Sequence, residues 1–82
     1  MGKDEKLLDQ VLGGRADANI AFSDLVRLLH RIGFEMRVGG SHHMFRMTGV
    51  EEKINLQRDG NKAKPYQVKQ VRNIILKYRL GD

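Results

Sequence analysis

Hydrophobic positions along the chain fall into two kinds of period. Leu7, Leu8, Val11 and Leu12 recur at helical spacing and predict a short helix over 3–12, stopped by Gly13-Gly14. Residues 15–19 then read as a loop. Phe22, Leu25, Leu28, Leu29 and Ile32 form a stronger stripe, widened by Val26 and ended by Gly33. Asp24 precedes Arg27 and Arg31 along it, the order that the helix dipole favours. From residue 34 the period changes to two. Phe34, Met36 and Val38 alternate with Glu35 and Arg37, which predicts a half-buried strand over 34–38. Gly39-Gly40 breaks it as a hairpin would, and 42–47 read as the returning strand. Residues 48–51 turn the chain again, Lys53–Leu56 give a third short strand with Ile54 and Leu56 inward, and Asp59-Gly60 marks a further turn. A last helix starts near Lys64-Pro65, where proline suits a first turn. Its stripe is Val68, Val71, Ile75 and Tyr78, with Ile74 beside it. Lys77 and Arg79 fall in its last turn, and Gly81 lies near its end.

The order is an extra helix followed by α-β-β-β-α. This predicts an α+β fold in which a three-stranded antiparallel sheet is covered on one face by two helices, with the other face open. It also divides the chain into an N-terminal helical extension and linker, 1–20, and a main domain, 21–82. The extension is a candidate for self-association into a homodimer, since a ten-residue helix with one thin stripe is marginal alone.

Composition narrows the function. A chain of 82 residues buries only about 60% of its unfolded surface, which supports one modest core and no deep substrate cavity. It has no cysteine, so disulfides and thiolate metal sites are excluded. No apolar run approaches the roughly 20 residues of a membrane span, and the mixed charge of residues 1–6 is unlike a secretory signal. The expectation is a cytoplasmic protein with no membrane partner. The formal net charge is +5. It sums to −1 over residues 1–20, +2 over 21–50 and +4 over 51–82. A positive field that grows toward the C-terminus suits a polyanion, because each phosphate neutralised releases counterions.

Candidate chemistry gathers in Gly39-Gly40-Ser41-His42-His43-Met44-Phe45. With Phe45 and Met47 inward, period two puts His43 on their side and His42, Met44 and Arg46 on the open side. One residue of slip would exchange them. An open-face imidazole among cations can take a proton from a ribose 2′-hydroxyl or give one to a leaving 5′-oxygen. Ser41 is placed to bond a phosphate or orient the ring, and Gly40 to let a backbone come close. The plain alternative for His43 is a packed or rim residue tied to a carbonyl, and His30 reads as a helix-surface residue. Adjacent histidines diverge on a strand, so no metal site is expected, and no cofactor is implied.

The spacing Phe22-x-x-Leu25-x-x-Leu28-Leu29-x-x-x-Gly33-Phe34, then Arg37-x-x-Gly40-Ser41-His42-His43-x-Phe45, then a short strand and a Lys-Pro helix, resembles the HicA family over about residues 21–80. These are toxins of bacterial type II toxin–antitoxin pairs. The resemblance implies a double-stranded-RNA-binding-like α-β-β-β-α fold, metal-independent cleavage of mRNA through a histidine, and neutralisation by a HicB antitoxin. The family's catalytic histidine follows the Gly-Ser, so His42 and His43 both fit the motif, and parity ranks His42 first. On this reading Arg37, Arg46 and Lys53 hold phosphates near the cut. Lys62, Lys64, Lys69 and Arg72 guide the RNA strand. Family toxins usually lack residues 1–20, and many carry Pro-His where this chain has Leu56-Gln57-Arg58-Asp59. The other readings are a non-catalytic RNA-binding module of the same fold and a basic interaction protein for an acidic partner.

Overall fold

The computed structural model describes residues 3–80; Met1, Gly2, Gly81 and Asp82 lie outside them. The chain forms α1 (Lys3–Gly13), a 3-10 turn (Asp17–Asn19), α2 (Phe22–Ile32), β1 (Glu35–Gly39), β2 (His42–Met47), β3 (Val50–Leu56), β4 (Arg58–Asp59), β5 (Lys62–Ala63) and α3 (Pro65–Tyr78). β1, β2 and β3 make one antiparallel sheet in that order, and β4 and β5 a separate small hairpin. The fold is α+β, with three helices around a three-stranded sheet.

Both apolar stripes enter one core. Phe22, Leu25, Leu28 and Leu29 of α2 meet Phe45 of β2, Ile54 and Leu56 of β3, and Val68, Val71, Ile74 and Ile75 of α3. Burying a side chain of this size contributes about 1.5–3 kcal/mol. α1 joins the same core through Leu7 and Val11, the latter fully buried. Arg72 of α3 reaches across to it, donating to the Val11 carbonyl at 3.3 Å and to Asp17 Oδ1 at 2.9 Å. The apolar stripe of the first helix is thus packed inside its own chain.

α2 stops at Gly33, whose φ of 123° is a conformation that side-chain-bearing residues rarely adopt. Its N–H donates to the Leu29 and His30 carbonyls, and the Phe34 N–H follows to Leu29 at 2.9 Å. That cap closes the helix and aims Phe34 into the core within one residue.

Three details differ from the hydrophobic pattern. β3 begins at Val50, because the turn before it needs only Thr48-Gly49. Val38 shares the inward parity of Met36, being paired with His43, yet it is 58% exposed. β1 is an edge strand of the sheet, and Val38 lies next to the hairpin tip, where its side chain stays open to solvent. The β4–β5 hairpin shows no periodicity that could announce it, each strand being two residues long. It is held from outside: the Ala63 N–H donates to Ile20 O and the Phe22 N–H to Asn61 O, both at 2.9 Å.

The far end of the sheet is pinned to the end of α3. Lys77 Nζ donates to Glu52 Oε2 at 2.8 Å and the Tyr78 hydroxyl to Oε1 at 2.6 Å. These two bonds, Lys77 first, hold the Glu52 carboxyl down at about 2, from 4.5, and Glu52 in turn raises Lys77. A carboxyl depressed in the folded state stabilises it above its unfolded pKa and loses that contribution as pH falls toward the folded value. Urea unfolding of the wild type should therefore show stability declining between pH 4.5 and about 2. The Glu52→Gln variant should show a shallower decline over the same window.

Candidate nucleic-acid interface

β1 and β2 are joined by a two-residue loop, Gly40-Ser41, with Gly39 still paired to His42. Gly40 takes φ of 59° and Ser41 does not take a positive φ, the pattern of a type II′ turn with glycine in its first central place. The break expected at Gly39-Gly40 thus sits one residue later. The turn fixes the register Met36↔Phe45, Arg37↔Met44 and Val38↔His43. Across β2 the pairs continue as His43↔Leu56, Met44↔Asn55 and Phe45↔Ile54.

Cross-strand partners share a face, so the two histidines separate. His43 lies on the helix side with Leu56. Its ring meets the Phe22 ring edge-on, with centroids 4.9 Å apart, and the Arg58 guanidinium stands over the same Phe22 ring at 4.9 Å. His43 Nδ1 is buried and has no hydrogen-bond partner, so the carbonyl tie expected for it is missing at that atom. His42 lies on the open face and is exposed. Its Nδ1 is 3.1 Å from Asn55 Oδ1 and its Nε2 is 3.3 Å from Gln57 Nε2. Asn55 and Gln57, rather than Ser41, orient the ring.

Gln57 is itself anchored from two directions. Its side-chain oxygen accepts from Lys64 Nζ at 3.3 Å. Its backbone N–H donates to Gln67 Oε1 at 3.1 Å. Gln67, in the first turn of α3, is only 3% exposed and is a buried polar residue amid an apolar core. Tyr66, its neighbour, is 64% exposed.

The residues expected around the histidines divide into three groups. Arg37, Arg46 and Lys53 are exposed on the open face and line a hollow of about 270 Å³ together with Glu35, Met36 and Met44. Gly40 and Ser41 stand at the hairpin tip next to His42, and a Cβ at Gly40 would meet open space. Lys64 reaches the same end of the sheet through Gln57. Lys62 bonds Asn19 Oδ1 at 3.1 Å on the small hairpin, and Lys69 is exposed on α3. Arg72 faces the other way, paired with Asp17 at 2.9 Å, with 15% of its side chain accessible. Its charge is neutralised within the fold.

Asn55, Gln57 and Gln67 were not among the expected site residues. The signal for the first two is outward parity on the third strand, 53–55–57, facing outward parity on the second. That signal becomes usable only with the register in hand.

Among the described residues no group of three or more His, Asp or Glu side chains could hold a metal ion, and no helix is long and apolar enough to cross a membrane. Comparison with protein-family models, with curated proteins and with solved structures gives no match.

Proposed function

We propose that this protein is a metal-independent mRNA endoribonuclease of the HicA toxin type. On this reading it works in the cytoplasm on a double-stranded-RNA-binding-like frame and is neutralised by a HicB-like antitoxin. The observation that carries the proposal is His42: an exposed imidazole on the open face of a basic sheet, with a protein partner on each ring nitrogen. Arg37, Arg46 and Lys53 on that face, with Lys64 at its end, supply charge for the phosphates on either side of a cut. A 2′-hydroxyl that replaces the Gln57 amide at Nε2 gives its proton to the ring. The freed oxygen attacks the adjacent phosphorus, and the 5′-oxygen leaves with a proton from water, so that a 2′,3′-cyclic phosphate remains. Such a route needs no metal ion.

A second reading, RNA binding without cleavage, is favoured by the Gln57 amide, because it occupies the lone pair that a general base would use. Shape and phosphate contacts suffice for that role. Growth of bacteria expressing the protein separates the two. Wild type should arrest growth and His42→Ala should not, with both folded. Equal growth of the two cultures would remove the nuclease reading, and tight, salt-sensitive binding of RNA that stays intact would install the second.

A further inference from the structure

Three contacts around His42 admit one assignment of hydrogens. An ammonium has donors and no acceptor, so the group that Lys64 Nζ meets at 3.3 Å is the Gln57 side-chain oxygen. The Gln57 amide nitrogen is thereby turned to His42 Nε2, 3.3 Å away. That nitrogen is a donor, so Nε2 must present its lone pair. A neutral imidazole with its lone pair on Nε2 carries its proton on Nδ1, and Nδ1 lies 3.1 Å from Asn55 Oδ1, an acceptor. The chain of donors runs from Lys64 through Gln57 to the ring, and separately from the ring to Asn55, with no donor facing a donor.

The support behind this chain is built into the fold. Gln57 follows Leu56, which is fully buried, and its backbone N–H is held by Gln67 beneath it. Asn55 is paired across the sheet with Met44, two residues from His42 on the same strand face. Gln67, one of the few polar side chains in the core, therefore fixes the residue that caps the histidine.

From this geometry we infer that Asn55 and Gln57 are positioning residues that hold His42 as the neutral Nδ1–H tautomer. Nε2 is then the ring nitrogen that exchanges protons with the ligand. The inference about the tautomer stands on the three contacts; its consequence for cleavage rests on the nuclease reading above. A ring free in water favours the other tautomer, so the Nδ1–H form is a positive signature of the two partners.

Long-range proton–nitrogen NMR of the nitrogen-15-labelled full chain, at a pH where the ring is neutral, reads the tautomer without RNA. His42 should show the Nδ1–H pattern in the wild type. The double variant Asn55→Leu/Gln57→Leu, which removes the partners of both ring nitrogens, should convert it to the Nε2–H pattern, and Asn55→Asp, which keeps an acceptor, should retain Nδ1–H. Asn55 is exposed and Gln57 half-buried, neither of them a core side chain, so these variants keep the core intact. If the wild type cleaves RNA, Asn55→Leu should lower kcat by at least about tenfold with KM little changed, and Asn55→Asp should recover most of it. An Nε2–H pattern in the wild type, or an Nδ1–H pattern that survives loss of both Asn55 and Gln57 side chains, would overturn the inference. Absence of cleavage in a wild type that shows the Nδ1–H pattern would instead remove the nuclease reading and leave the positioning role standing.

Discussion

Replacing His42 with alanine should lower RNA cleavage by about 100- to 10,000-fold, the range that a positioned general acid–base group contributes. The melting temperature should hardly move. His42 is exposed and its two partners are exposed or half-buried polar side chains that water can satisfy instead. The matched comparison is His43→Leu. That ring packs against Phe22 on the helix side and carries a buried Nδ1 without a partner. An apolar replacement removes an unsatisfied group, which offsets the lost ring contact, so stability should stay within about 1 kcal/mol. Cleavage should persist. Kinetics on both purified variants, with thermal melts alongside, check the pair. A His43→Leu loss as deep as that of His42→Ala would place the reactive ring on the wrong side of the strand.

The largest stability effect is expected at Phe45. Its ring is fully buried among both helices and β3, and His30 of α2 approaches it edge-on at 6.1 Å. Phe45→Ala should cost about 3–5 kcal/mol through lost burial and the cavity left behind. Against a total of about 5–15 kcal/mol for a domain, that is much of the stability. It should lower Tm by well over 10 °C, at about 4–8 °C per kcal/mol. Met44→Ala, one position along and half-buried on the open face, should cost under about 1 kcal/mol. Urea unfolding of the two variants measures the contrast. The contrast matters for function because the burial of Phe45 is what sends His42 outward. A strand that lost this anchor could slip by one residue and exchange the two histidines.

That parity was legible in the residues themselves. Phe45, Ile54 and Leu56 are the strongest apolar positions of their strands, and their alternation with His42, Arg46, Lys53 and Asn55 sets both faces before any coordinate is known. The helix stripes were legible for the same reason, their periods being long enough to stand above chance. What was not legible depends on distance along the chain. Asn55 and Gln57 reach His42 only through the register of β2 on β3, and Gln67 reaches Gln57 only because α3 crosses beneath that strand end. Val38 looks covered by alternation, which tells which face a side chain is on and not whether anything packs over it. Arg72 illustrates the same limit for charge. A cation on a basic helix looks like a phosphate ligand until the packing of α1 brings Asp17 and the Val11 carbonyl to it. The expected cations that remain exposed or half-buried lie on the open sheet face, on the small hairpin and along the first half of α3 and its N-cap.

The proposed chemistry leaves a product that binding alone cannot. Purified protein incubated with messenger RNA in the presence of a strong chelator should cut it and leave 2′,3′-cyclic phosphate ends, with His42→Ala leaving the same RNA whole. Intact RNA after long incubation with folded wild-type protein would contradict the account.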